Sequence, residues 1–305
     1  MRAFDLLPYR YRRPVEIHRH NRAIAEIART PPLCASGPEP MFLSMLRHSD
    51  VLMYLLAIKS VYAQLGRGLI TIVNDGSLTA ADRRLLDHHL GRVRYLQIQD
   101  VDTTPCPRGG TWERLLAILD SARDHYLIQV DADIVALGDL AEVGECIRDN
   151  RAFTLGGDPS SRLESVGETS ASARKHRDPH VQLAAERLLD QMPGAGSLKY
   201  VRGCSAFAGF PRGGNRSAIV AFSNWMEQRL GRQWHDWGSE QVASNFLIAN
   251  CPDPLILPWP KYRSFFPGSE LAGANLIHFF GTYRFMNGEY AAQSRRAIAN
   301  LTHLG

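Results

Sequence analysis

Asp131 and Asp133 stand one residue apart, directly after the apolar run Tyr126-Leu-Ile-Gln-Val130. On an extended chain, residues i and i+2 project to the same side. Two carboxylates so placed offer hard oxygen donors that suit Mn²⁺ or Mg²⁺ and leave open positions for diphosphate oxygens. An ion held there offsets the charge of a departing nucleotide diphosphate. A D-x-D triplet arises by chance about once in a chain of this length, and Asp100-Val-Asp102 is a second one. The pair at 131 and 133 is preferred because the stronger apolar run precedes it and Ile134-Val-Ala-Leu-Gly-Asp-Leu140 continues as buried sequence. The competing reading is that the same two residues cap a helix or close a turn.

Five other segments carry chemistry. Trp112-Glu-Arg114 lies on an amphipathic helical stretch, where an arginine is ordinarily a surface residue. Arg202-Gly203-Cys204-Ser205 puts a glycine inside a strand, which marks either a bulge or the close approach of a ligand. Asp236-Trp-Gly-Ser-Glu240-Gln241 places acids at the start of a helix, where the dipole favours them anyway. Such a carboxylate can also face an acceptor hydroxyl, and Asp236 can be only a turn residue. His278-Phe-Phe-Gly281-Thr-Tyr-Arg284 combines an imidazole with a basic residue six positions on. A histidine beside two phenylalanines is more often a core residue, but imidazole also suits Mn²⁺ alongside two carboxylates. Asn74-Asp75-Gly76-Ser77 is a turn at a strand end.

The elements that must position these residues alternate in type. Runs at 41–46, 69–73, 93–98 and 125–130 read as strands; 50–65, 79–90 and 111–124 read as helices, with Asp50 and Thr79 as caps. Such alternation implies an α/β fold with a mixed, mainly parallel sheet flanked by helices. Ligands of these sheets bind at the carboxyl ends of the strands, where Asn74–Ser77 and the aspartate pair both fall. Farther on, helices are expected at 181–192, 218–230 and 239–248, and strands at 200–210, 255–257 and 275–279. The polar stretch 158–180 reads as mobile or a lid. One domain is expected over 41–290, with a nucleotide-binding half (41–140) and an acceptor half (141–290). A basic, proline-rich arm (1–40) precedes it and a tail (291–305) follows.

Composition bounds the rest. The 305 residues are 45% hydrophobic and 22% charged, ordinary for a globular chain and unlike disordered or collagen-like sequence. A net charge of +4 is too small to argue for nucleic acid. Five cysteines without a C-x-x-C pair argue against a zinc ribbon or redox dithiol and fit a reduced, cytoplasmic protein. The longest apolar stretch, 51–63, is interrupted by Lys59 and Ser60 and is too short to span a bilayer. The arginines of the first 22 residues read as a solvated helix or as a peripheral contact with an anionic membrane or a partner chain.

The segment Val130-Asp-Ala-Asp-Ile-Val-Ala-Leu-Gly-Asp-Leu140 resembles the metal-binding segment of GT-A-fold glycosyltransferases, and is most similar to the family of glycogenin and the lipopolysaccharide galactosyltransferases. The resemblance implies Mn²⁺ (or Mg²⁺), a nucleotide diphosphate sugar, with UDP the favoured nucleotide, and a glycan or other hydroxyl acceptor. It assigns ribose and metal to Asp131, and metal to Asp133 and His278. It assigns the donor to Arg114, the strand under the donor sugar to Gly203, and the diphosphate to Gly281 and Arg284. Arg284 stands where the family has Lys. Arg202 stands where Asn is usual, and Val242 departs from a D-Q-D-x-x-N pattern otherwise matched by Glu240, Gln241 and Asn245. Glu240, with Gln241 or Asp236, then addresses the acceptor or the reacting carbon. The Trp-Gly-Ser-Glu segment also resembles the W-G-x-E-D motif of inverting enzymes, whereas His-Gly-Arg favours retention. Asp75 and Gly76 resemble a nucleotide-contacting D-D-G-S turn, although in the glycogenin-like family the base is met near 44–50. The competing readings are a haloacid-dehalogenase-type phosphatase with Asp131 as nucleophile, and an inactive nucleotide-sugar-binding protein.

Overall fold

The computed structural model describes residues 8–33 and 35–303. The helices are α1 (Tyr9–Ile24), α2 (Val51–Leu65), α3 (Ala80–Leu90), α4 (Trp112–Ser121), α5 (Ala141–Asp149), α6 (Val166–Ala173), α7 (Val181–Glu186), α8 (Arg216–Leu230), α9 (Ser239–Ala249) and α10 (Glu289–His303). The strands are β1 (Met41–Leu46), β2 (Leu69–Asn74), β3 (Val93–Gln97), β4 (Leu127–Val130), β5 (Ile134–Ala136), β6 (Phe153–Gly156), β7 (Glu164–Ser165), β8 (Lys199–Tyr200), β9 (Gly203–Phe210), β10 (Leu255–Ile256), β11 (Tyr262–Ser264) and β12 (Leu276–His278).

Seven strands form the main sheet in the order β10-β6-β9-β4-β1-β2-β3. Parallel pairs join β1 to β2 and β4, β2 to β3, and β6 to β10. Only β9 runs against the rest, between β4 and β6. The expected mixed, mainly parallel sheet is present. Successive residues of a strand face opposite layers: Phe42 and Ile128 enter one core with Tyr54 and Ile58 of α2, while Leu43 and Leu127 enter the other with Leu115 and Ile118 of α4. Burial on both faces explains why these strands are apolar without alternation. A smaller sheet, β11-β12-β5, sets β5 antiparallel to β12 with Ile134 opposite His278.

Three segments are more regular than their composition suggests. Residues 158–180 contain β7 and the helix α6, whose start is a capping box. Ser165 Oγ accepts from Glu168 N at 3.2 Å, and Glu168 Oε2 accepts from Ser165 N at 2.9 Å. The tail is α10, which buries Tyr290, Ala291, Ser294, Ala297, Ile298 and Leu301. Within the arm Tyr9–Ile24 forms α1, whose Glu16, His20, Ala23 and Ile24 are buried, and this helix packs on α10. The polar breaks in 51–63 are also used inside the fold: Lys59 Nζ donates to Pro31 O at 2.7 Å, and Ser60 Oγ accepts from Ala136 N at 3.1 Å.

His20 is held neutral in this packing. Its ring stacks on Tyr290, centroids 4.0 Å apart, and neither ring nitrogen has a hydrogen-bond partner. Burial, helped by the charge of Arg284, lowers its pKa from 6.5 to about 4. The unfolded chain therefore takes up this proton first as pH falls. The stabilisation is complete above about pH 6.5 and is lost toward pH 4, a change of about 3 kcal/mol. His20→Phe should remove that part of the acid slope in urea titrations at several pH values; an unchanged slope contradicts the assignment.

Candidate functional site

The aspartate pair follows the carboxyl end of β4. Asp131-Ala132-Asp133 is a turn rather than extended chain, so alternation along a strand is not what brings the two carboxylates to one place. Each is drawn in by its own arginine. Asp131 Oδ1 accepts from Arg114 Nη1, and Asp133 Oδ2 accepts from Arg284 Nη2. The β5–β12 pairing then delivers the imidazole: Phe279 N donates to Asp133 O at 2.8 Å, and His278 Nε2 lies 3.3 Å from Asp133 Oδ1. That approach is an ion-pair contact rather than an aligned hydrogen bond, since Asp133 Oδ1 is buried without a hydrogen-bond donor. On its other side, His278 Nδ1 lies 3.4 Å from Cys204 Sγ on β9.

Arg114 joins two segments that are far apart in sequence. Besides Asp131, it reaches both oxygens of Glu240 at 3.4 Å through Nη2. Thr111 Oγ1 donates to Glu240 Oε2 at 3.0 Å, and Trp112 Nε1 donates to Ser239 Oγ at 2.9 Å. The start of α4 is thus pinned to the start of α9. Arg114 is buried, so it is not the surface arginine that its helix alone would suggest. Ser205 Oγ donates to Gln241 Oε1 at 3.4 Å.

Gly203 opens β9 where no side chain fits. A Cβ there would lie 2.4 Å from Thr154 Oγ1 and 2.9 Å from Asn245 Oδ1. Gly203→Ala is expected to cost about 1–3 kcal/mol by overpacking. A second change, Thr154→Ala, should recover part of that in chemical denaturation; a neutral Gly203→Ala contradicts the steric account.

Arg114, Asp131, Asp133, Gly203, Glu240, Gln241, His278, Gly281 and Arg284 all line one cleft of about 490 Å³. Three expected residues do not. Asp236 is exposed in the turn before α9, and its carbonyl accepts from Ser239 N at 3.3 Å. Asp75 and Gly76 are exposed at the end of β2: Asp75 Oδ1 accepts from Ser77 N at 2.8 Å, and Gly76 N donates to Asn74 Oδ1 at 3.0 Å. Their polar groups close their own turn. A larger groove of about 870 Å³ runs between α1 and α10, but its acids, Glu16 and Glu26, lie among three arginines and small residues, with no aspartate pair or histidine. Residues of the cleft that the sequence did not single out include Thr111, Gln182, Cys204, Trp237 and Phe280. Only Trp237 carried a signal, a large aromatic in a polar turn. It is 72% exposed at the cleft wall, held there by Gly238, whose φ of 106° favours glycine.

The cleft is close to neutral overall, with three carboxylates facing two guanidiniums and an imidazole. Burial opposes ionisation of Asp133, but His278 and Arg284 outweigh it and hold its carboxyl below the usual carboxylate range. Burial and the neighbouring Asp133 push Asp131 up, against Arg114. Burial opposes protonation of His278, yet Cys204 and Asp133 keep its pKa well above the usual value. Glu240 is raised by burial, with Arg114 and Thr111 pulling the other way.

Two carboxylates and an imidazole suit a divalent ion in kind, and the orphaned Asp133 Oδ1 is a ready donor. The set is not closed: among the described residues, no three of His, Cys, Asp and Glu are gathered at metal-ligand geometry. The arginines occupy the carboxylates instead, and the imidazole would have to release a proton to bind an ion.

No family model and no curated protein sequence matches the chain. Solved structures do. An apo structure of the bifunctional glycosyltransferase WbbM superposes over 88% of this chain and 50% of its own, with a TM-score of 0.53 and 15% identity. An active-site mutant of LgtC covers 84% of this chain and 95% of its own, at TM-score 0.52 and 11% identity. GlyE of Streptococcus pneumoniae TIGR4 covers 88% and 63%, at 0.50 and 10%. The chain has the GT-A glycosyltransferase fold. It spans half the length of WbbM. Within this GT-A fold Asp131 is held by Arg114, which disfavours its use as a phosphatase nucleophile. Among the described residues no helix is long and apolar enough to cross a membrane.

Proposed function

We propose that the protein is a metal-dependent glycosyltransferase that moves a sugar from a nucleotide diphosphate sugar, first among them a UDP-sugar, to a hydroxyl of a glycan or other acceptor. One observation carries the reading. Four distant segments, contributing Arg114, Asp131 with Asp133, Glu240 with Gln241, and His278 with Arg284, meet in one cleft beyond the end of β4.

Asp131, Asp133 and His278 would hold Mn²⁺ or Mg²⁺, which when bound supplies positive charge beside the leaving diphosphate. Arg284 is the counterion of Asp133 while the cleft is empty of donor; with a diphosphate present its planar fork turns to phosphate oxygens. Gly281, at a φ of 51°, leaves room for the phosphates to approach the backbone. The nucleotide lies toward 44–50, whose Asp50 is near enough for Arg284 to feel its charge. Arg114 keeps Asp131 and Glu240 oriented, and Gly203 forms the floor under the donor sugar. Trp237 offers the acceptor ring an apolar platform.

Retention of anomeric configuration is favoured on physical grounds. Inversion needs a carboxylate free to take the acceptor proton. Asp131, Asp133 and Glu240 are the carboxylates lining the cleft among the described residues, and each is engaged by an arginine. Glu240 thus acts as a positioning group, and Gln241 presents a neutral amide beside it.

The test is a panel of nucleotide sugars assayed for nucleotide release and sugar transfer, with Mn²⁺ and with a chelator. The expected result is turnover of one donor, lost on chelation, with NMR showing a retained anomer. Transfer that survives chelation contradicts the metal role, and tight nucleotide binding with no turnover of any donor points to the inactive binding protein.

A further inference from the structure

α1 carries five arginines (Arg10, Arg12, Arg13, Arg19 and Arg22) and one acid, Glu16. Its net +4 equals the net +4 of the entire chain, so everything outside this helix sums to zero. The helix is fastened by one side: Glu16, His20, Ala23 and Ile24 are buried, and Arg19 is paired to Glu16 at 3.2 Å. Along the other side, Tyr11, Val15, His18 and Arg22 follow at intervals of four, three and four residues, and all are exposed. That spacing makes a single stripe. Tyr11 is 58% exposed and Val15 39%, and the other exposed large apolar side chains among the described residues are Leu69 and Trp237. The Arg10 guanidinium lies 4.7 Å from the Tyr11 ring centroid. The groove between α1 and α10 adds Arg295 beside Arg22.

We propose that α1 docks the protein on an anionic lipid bilayer, with the helix lying in the plane of the interface. A helix of this kind gains twice: its arginines are drawn to anionic headgroups, and its apolar side chains leave water for the headgroup boundary. A soluble polyanion would engage the arginines and leave Val15 in water, so the exposed Tyr11–Val15 pair favours the bilayer. Because the buried side of α1 is fixed to α10, the Tyr11–Val15–His18–Arg22 stripe stays outward when the helix docks, with Arg10 on its flank. The inference rests on this surface alone and is independent of the proposed reaction.

The test is co-sedimentation of the full-length protein with vesicles of phosphatidylglycerol and phosphatidylcholine, compared with phosphatidylcholine alone, at low and high salt. The protein should sediment with the anionic vesicles, less at high salt, and stay in solution with the neutral ones. The triple variant Arg10→Gln, Arg22→Gln, Arg295→Gln should bind about 100-fold more weakly, at about fivefold per arginine, with an unchanged circular dichroism melt. The double variant Tyr11→Ser, Val15→Ser should bind about tenfold more weakly. Failure to bind anionic vesicles, equal binding to neutral ones, or a triple or double variant that binds like the parent overturns the proposal.

Discussion

Asp133→Asn is expected to reduce sugar transfer by on the order of 10³-fold, the scale of losing an interaction that acts on developing charge. The carboxylate has two separate duties. Oδ2 pairs with Arg284, and Oδ1 faces His278 with no hydrogen-bond donor. An asparagine keeps the volume but removes the charge, and its amide turns a donor toward one of two cations. Arg284 and His278 are then left without their shared counterion, so a loss of stability accompanies the loss of activity. Asp133→Glu separates the two effects. It keeps the negative charge and most of the stability, while the extra methylene moves the oxygens away from where Asp131 and His278 can share a ligand. Both variants should lose transfer, and only the asparagine should melt much earlier. Wild-type turnover in Asp133→Asn contradicts the site.

Arg114→Met should destabilise the fold by about 3–5 kcal/mol, the usual cost of removing one partner from a buried ion cluster. Arg114 and Glu240 are buried, while Asp131 keeps 28% of its side-chain surface. Asp131 and Glu240 would face each other without a counterion. The double variant Arg114→Met, Glu240→Gln removes one of the stranded charges and should recover part of the stability, a coupling that a double-mutant cycle in urea can measure. Activity should stay low in the double variant, because Asp131 has still lost the group that orients it. Arg114→Met with parental stability would show that the guanidinium does not bind this cluster together.

Much of the scaffold was legible from local signals. The apolar runs of β1, β2 and β4 are long enough to be strands and too continuous for half-exposed ones. Thr79 with Asp82 forms the capping box that opens α3. The turn after β4 was recognisable as a site because it puts two acids at the end of a buried strand. What joined that site was legible only through the family resemblance, not through any local signal. His278 meets Asp133 through the antiparallel register of β5 and β12, two three-residue strands whose pairing depends on the whole chain between them. Arg114 meets Glu240 only because two helix starts pack together, and nothing local to either helix announces it.

Other omissions left a trace in the residues. Ser165-Val-Gly-Glu168 has the spacing of a capping box, yet the polar stretch around it read as a lid. Tyr290, Ala291, Ser294, Ala297, Ile298 and Leu301 repeat at helical intervals, though the segment read as a tail. In α1 the buried face includes Glu16 and His20, which disguise it as solvated. The turn at Asp75 and the acid at Asp236 lie outside the cleft: Asp75 Oδ1 accepts from Ser77 N within its own turn, and the Asp236 carbonyl accepts from Ser239 N.

The most direct test of the central claim is electron paramagnetic resonance of Mn²⁺ titrated with the protein in the presence of a nucleoside diphosphate. The free-ion signal should fall as the parent protein is added and should persist with Asp133→Asn. A signal unchanged by the parent, or removed equally by the variant, contradicts the assignment of Asp131, Asp133 and His278 to one divalent ion.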